Sequence, residues 1–210
     1  GIPWIDESIT SYFGEGGWPT HKPKTPWGSV PILAVDDVEI AQTPAIMRFV
    51  AGLVEQKEAG FAPSEPMLAA KCDAAFFAAE ELGPVNPVVN VFKGEAFAEK
   101  KASYFETFPA KLSNLARALG DGPFFCGSRP TYGDFNVYHH LDNTRLLEPT
   151  ALDAHPNILS FMAEIEKLPG VCEYLAARPK AVDIGTKPML DPPWHGPDGD
   201  TSKAAPQTYR

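Results

Sequence analysis

The sequence predicts a small α/β unit followed by an all-α unit. Short strand-like runs punctuated by turns are confined to the region before about residue 57. From Pro63 onward, apolar residues recur at helical spacing. The length of 210 residues and the 44% hydrophobic content suffice for two small domains with a real core. The division read from these signals is 1–57 for the α/β unit, 63–187 for the helical unit and 188–210 for an extended or disordered tail.

In the first unit, the β-rich run at residues 30–35 (Val-Pro-Ile-Leu-Ala-Val) meets Asp36-Asp37, and a second run follows at residues 38–41. Two short strands around an Asp-rich turn read as a hairpin. Thr43-Pro44 then opens a helix, Thr as N-cap and Pro at the first helical position. Ile46, Phe49, Val50 and Leu53 give it an apolar face, and Gly60 is its expected end. In the second unit, helices are predicted over 66–82, 95–119, 131–147, 157–167 and 170–178. The longest carries a stripe of Phe97, Tyr104, Phe105, Phe108, Leu112 and Leu115. Thr131 and Asp134 have the spacing of a capping box, a structural assignment rather than a chemical one. The 191–210 tail is rich in Pro, Gly and polar residues.

A net charge of -9 with no basic run argues against nucleic acid, because phosphate binding requires a basic face. No apolar stretch approaches the ~20 residues that span a bilayer, so no membrane partner is expected. The three cysteines, Cys72, Cys126 and Cys172, are odd in number and lack CxxC spacing. They suggest neither a disulfide framework nor a metal site, and read as small buried thiols in a reducing compartment.

Three motifs carry a family resemblance. Trp18-Pro19-Thr20-His21-Lys22 continues through Pro26-Trp27-Gly28-Ser29-Val30-Pro31-Ile32-Leu33 to Gln42-Thr43-Pro44-Ala45-Ile46. It resembles the glutathione-binding stretch of sigma and mu glutathione transferases: Trp-Pro, a Lys four residues on, Pro-aromatic-Gly, apolar-Pro-apolar-Leu, then Gln-Ser-x-Ala-Ile opening a helix. Thr131-Tyr132-Gly133-Asp134-Phe135 is similar to the family's Ser/Thr-x-x-Asp box. The third motif runs from Leu152-Asp153-Ala154-His155-Pro156 to Leu168-Pro169-Gly170.

The resemblance implies a thioredoxin-like N-terminal domain, a glutathione-transferase-type helical C-terminal domain and a cytoplasmic homodimer, an organelle not being excluded. Glutathione would be the co-substrate, with no metal, and a hydrophobic electrophile its partner. The activity implied is conjugation of the glutathione thiolate to electrophilic small molecules in detoxification, or a glutathione-dependent isomerisation. The alternative is a non-catalytic structural or binding subunit of a larger assembly. Trp18 and Lys22 would meet the glycyl end of the peptide, and Gly28 and Ser29 lie in the same stretch. Val30, before a cis Pro31, would pair with the cysteinyl unit in strand-addition fashion. Gln42 and Thr43 would receive the γ-glutamyl carboxylate, for which a helix N-terminus is suited. Glu81, in the pair Glu80-Glu81, falls where sigma enzymes carry an acidic pair reaching the neighbouring subunit's glutathione amine. The bundle face and the 188–194 segment are expected to shape the electrophile pocket.

The family fold begins with a strand, a helix and a second strand, and the first strand ends in a catalytic Tyr-Phe. Here residues 1–9 resemble the second strand. Only four residues, 14–17, separate Tyr12-Phe13 from Trp18, whereas a helix plus a strand need well over about ten. The catalytic Tyr is therefore expected upstream of Gly1, Tyr12 is expected in a loop, and the chain as given is expected to show little conjugating activity.

Overall fold

The computed structural model describes Ile5, residues 18–53 and residues 60–191. The segment read as a second strand, Tyr12 and residues 192–210 fall outside it, except for Ile5.

The first described turn is α1 (Trp18–His21), continued by a 3-10 turn over Lys22–Lys24. Thr25 closes it: its N–H and Oγ1 both donate to the Lys22 carbonyl, at 3.3 and 2.9 Å. β1 (Ile32–Val35) and β2 (Val38–Ala41) form the predicted antiparallel hairpin, from Val35↔Val38 at the turn to Ile32↔Ala41 at the open end. β1 starts two residues later than the apolar run, because Pro31 has no N–H to give the ladder. Asp36 takes a positive φ of 51° in the turn, a conformation Asp tolerates better than most residues.

α2 (Thr43–Gly52) follows at once. Its N-cap is Gln42 rather than Thr43, since the Gln42 carbonyl accepts from both Ala45 and Ile46 at 2.9 and 3.0 Å. The helix ends at Gly52, ahead of the expected Gly60. The helical unit then comprises α3 (Pro66–Glu80), α4 (Val85–Asn90), α5 (Gly94–Leu119), α6 (Tyr132–Leu147), α7 (Pro156–Glu166) and α8 (Val171–Ala177). α3 is capped by Glu65, whose carboxylate accepts from Met67 and Leu68, and Pro66 occupies its first position.

The core lies in this bundle. The predicted stripe buries Tyr104, Phe108, Leu112 and Leu115 of α5 against Leu82, Val137, Leu141 and Phe161. Each such side chain contributes about 1.5–3 kcal/mol when fully buried. α3 and α6 approach through Gly133, where an added Cβ would sit 2.6 Å from the Cys72 carbonyl oxygen.

The helical reading does not hold to the end. β3 (Lys180–Val182) and β4 (Met189–Asp191) pair antiparallel, and Gly94 N–H donates to the Gly185 carbonyl at 2.8 Å. Residues 189–191 are thus paired backbone rather than free tail. Burial of the cysteines also differs from the uniform expectation: Cys72 is buried, Cys126 partly buried and Cys172 exposed.

Candidate functional site

The hairpin register assembles the candidate site. Because Ile32 pairs with Ala41, the residues just outside the ladder, Val30-Pro31 on one strand and Gln42-Thr43 on the other, meet at the same end. The Val30–Pro31 peptide is cis. Val30 lies outside the ladder with its side chain half exposed. Its backbone groups are therefore not spent on the β1–β2 ladder, a requirement for pairing with an extended peptide.

Gln42 adopts φ 78°, ψ 118°, unusual for a residue with a side chain. Such conformations typically cost about 1–3 kcal/mol and concentrate at ligand sites. Thr43 is the first residue of α2 and is half-buried. Ala45 and Ile46 spend their N–H groups on Gln42, and Pro44 has none. The Thr43 N–H is thus the backbone donor of the first turn that the helix does not consume, at the positive end of the dipole.

On the near side, the aliphatic stem of Lys22 lies over Gly28: a Cβ there would meet Lys22 Cε at 3.5 Å. Gly28 has φ +66°, so a side chain would be disfavoured by backbone as well. Ser29 is half-buried and Lys22 exposed, its ammonium in solvent beyond the stem. Trp18 begins α1 and is half-buried. Lys22 and Gly28 come together, as do Val30-Pro31 and Gln42-Thr43.

Glu81 is not brought to them. It caps the end of α3 on a groove of about 470 Å³ between α3 and α5, with Lys71, Lys111 and Asn114 among its lining residues. The Lys111 ammonium donates to the Glu81 carbonyl oxygen at 2.7 Å. Its neighbour Glu80 is exposed but meets α6: Asn136 Nδ2 donates to Glu80 Oε1 at 2.8 Å, and His140 Nε2 lies 3.5 Å from the same oxygen. The two halves of the predicted acidic pair therefore have different surroundings. The 192–194 part of the predicted electrophile wall lies outside the described residues.

The structural pair behaves as an acid-centred cap. Asp134 Oδ2 accepts from the Thr131 N–H and Oγ1, both at 2.7 Å, and Oδ1 accepts from Phe125 N–H at 2.8 Å. The Thr131 hydroxyl donates to Asp134 Oδ2 while Thr131 and Asp134 form the expected capping box. Burial raises the Asp134 pKa, with those three donors opposing it.

Sequence reasoning missed the polar link joining α2 to the bundle. Arg48 of α2 reaches Asp73 of α3 (Nη2 to Oδ1, 2.7 Å), and the Tyr132 hydroxyl of α6 donates to the same Asp73 oxygen. Burial alone would raise Asp73, but the bonds from Tyr132 and Arg48 outweigh it and hold the carboxyl below its ordinary range. No sequence spacing relates three residues from three elements. The one available hint was a basic residue on the otherwise apolar α2. Among the described residues no cluster of His, Cys, Asp or Glu has the arrangement of a metal site.

Residues 85–178 match the family model "Glutathione S-transferase, C-terminal domain". The chain is 34% identical over 167 residues to hematopoietic prostaglandin D synthase of Gallus gallus, covering 78% of this chain and 79% of that protein. It is 42% identical over 79 residues to glutathione S-transferase Mu 2 of Mus musculus, an alignment spanning 38% of this chain and 36% of the mouse protein. Among solved structures, the glutathione S-transferase from Ascaris lumbricoides superposes with a TM-score of 0.67 at 26% identity, over 78% of this chain and 80% of that one. With 34% identity to a relative over 78% of this chain, the chain belongs to the glutathione transferase family.

Proposed function

We propose that this protein binds glutathione along the open end of the β1–β2 hairpin and uses its thiolate on small electrophiles, by conjugation or by a glutathione-dependent isomerisation. One observation carries the reading: the register sets the Val30 backbone edge beside the unspent Thr43 N–H at the start of α2. In this reading Val30 pairs with the cysteinyl unit, and Gln42 and Thr43 hold the γ-glutamyl carboxylate. Lys22 and Trp18 meet the glycyl carboxylate, the Lys22 stem braced on Gly28, and Ser29 and Pro31 shape the turn between. A peptide with a carboxylate at each end is fixed at both ends, which orients its sulfur for attack. Glu81, on the α3–α5 groove of its own chain, serves the amine of a peptide bound by a second copy in a homodimer. The similarity to a prostaglandin D synthase supports including isomerisation. The chemistry needs no metal.

Calorimetric titration tests this directly. Glutathione is expected to bind, and cysteinylglycine, which lacks the γ-glutamyl carboxylate, to bind at least about tenfold more weakly. That difference corresponds to one lost charge-assisted contact of about 1.5–3 kcal/mol. Equal affinity for the two peptides would remove Gln42 and Thr43 from the site.

A further inference from the structure

We propose that Cys72 and Cys126 form a reversible intramolecular disulfide tying α3 to the loop ahead of α6. The two are far apart in sequence, with α4 and α5 between them, so spacing gives no sign of a pair. The fold supplies it. Cys126 packs on the small cluster formed by Ala51, Cys72, Phe76 and Tyr132. Its Sγ is 3.8 Å from the Leu68 carbonyl oxygen, and Leu68 is the residue one turn ahead of Cys72, whose carbonyl the Cys72 N–H faces in the helix. Cys126 thus packs against the same few side chains that enclose Cys72. Thr131 Oγ1 approaches Cys126 Sγ at 3.9 Å, and Gly133 presses on Cys72 from the other side, where a Cβ would lie 3.3 Å from its sulfur. The pair is held between α3 and the capped start of α6, next to the Asp73–Arg48–Tyr132 link.

Exposure assigns the roles. Cys126 is partly exposed and Cys72 fully buried, so Cys126 meets a disulfide oxidant and Cys72 resolves. The Cys126 thiolate attacks one sulfur of the oxidant, forming a mixed disulfide and expelling one thiolate. The Cys72 thiolate then attacks the Cys126 sulfur, closing the internal bond and expelling the second. Two cysteine protons pass to the two released thiols, and the oxidant gains the two electrons the cysteines lose. Burial pushes the Cys126 thiol up to about 11, with Cys72 of α3 and the Asp134 carboxylate of α6 adding to it and the Thr131 hydroxyl opposing. Beyond Cys72 lie the charges of Asp73 and Arg48. The thiolate is consequently scarce at neutral pH, so closure is slow and accelerates with alkalinity.

The test uses the full chain carrying Cys172→Ser, which removes the exposed third thiol. Hydroxyethyl disulfide is the oxidant, since it has no peptide for the proposed glutathione site to hold. This keeps the outcome separate from that proposal. The expected product has lost two hydrogens by intact mass and yields a linked peptide containing Cys72 and Cys126. Its formation rate rises about tenfold per pH unit between roughly pH 7 and 9. The same chain with Cys126→Ser, a change at a partly exposed position, is expected to show neither. A mixed disulfide that persists on Cys126 in chain still folded by circular dichroism overturns the proposal. So does bonding only between copies, or the absence of reaction at the alkaline end.

Discussion

Asp134 illustrates how a single side chain organises a junction. Three donors converge on its carboxylate from Thr131 and Phe125, while Thr131 contributes one hydroxyl. Asp134→Ala leaves buried donors unmatched and is expected to cost about 3–5 kcal/mol. Thr131→Ala is expected to cost only about 1 kcal/mol. Urea midpoints of the two variants check the ranking; equal losses would mean that the threonine, not the acid, is the centre. The Thr-x-x-Asp spacing made the pair legible in the sequence, but the direction of its hydrogen bonds follows from Phe125, a partner nine residues away. The histidines of α6 were not legible at all. His140 is 3% exposed with neither ring nitrogen hydrogen-bonded, and faces Glu80 of α3 and His139; His139 in turn faces Asp142, Arg178 and Glu80. Burial lowers both histidine pKa values. A lowered histidine disfavours the protonated form in the folded state, so its contribution is present above the unfolded value of about 6.5 and lost as pH falls below it. Thermal midpoints should therefore drop between about pH 7 and 5, and His140→Leu should flatten that slope. An unchanged slope would shift the cause to other groups.

Elements were legible wherever a local rule and a long pattern agreed. α5 came from its aromatic stripe, α3 from an Ala- and Phe-rich segment and α7 from a segment next to a proline. The hairpin was legible from its Asp-rich turn, its register only from the structure, and it is the register that places Val30 beside Thr43. α4 escaped because it is short and holds Pro87, so its stability comes from packing Val85, Val88 and Val89 on the bundle rather than from propensity. β3 and β4, three residues each, depend on Gly185 meeting the start of α5, a contact invisible to any window. The closest helix pair offers a direct test. α6 reaches α3 because position 133 has no side chain, with the Cys72 carbonyl where a Cβ would stand. A backbone oxygen cannot swing aside as a flexible side chain does. Although alanine favours helices over glycine, Gly133→Ala is expected to destabilise by about 1–3 kcal/mol through overpacking. A gain in the urea midpoint would show that the helices separate freely there.

The molecule as a whole is unevenly stabilised. Among the described residues 18–53, Ala41 and Ala51 are the buried apolar side chains, whereas the bundle buries a continuous set from Ala79 to Ile165. The unit proposed to hold glutathione thus has little core of its own. It leans on the bundle through α2, whose Arg48 engages Asp73 and Tyr132. That link is worth little as a surface ion pair, since Arg48 and Asp73 are 41% and 35% exposed. Local opening of β1, β2 and α2 should accordingly need less free energy than opening α5 and α6. Bound glutathione would raise the free energy of that opening, because a ligand stabilises the form that binds it by RT ln(1 + [L]/Kd), about 2.7 kcal/mol at a hundredfold excess over Kd. Amide hydrogen exchange is expected to slow by about a hundredfold in β1, β2 and α2 at that concentration, and the α5 and α6 core to slow likewise, since global unfolding also releases the ligand. The bundle core exchanges through global unfolding, and opening of the smaller unit precedes it. Slowing confined to the bundle would place the ligand elsewhere. Equal exchange rates in the two units without ligand would mean that they open together, the Arg48 link being far stronger than its exposure implies.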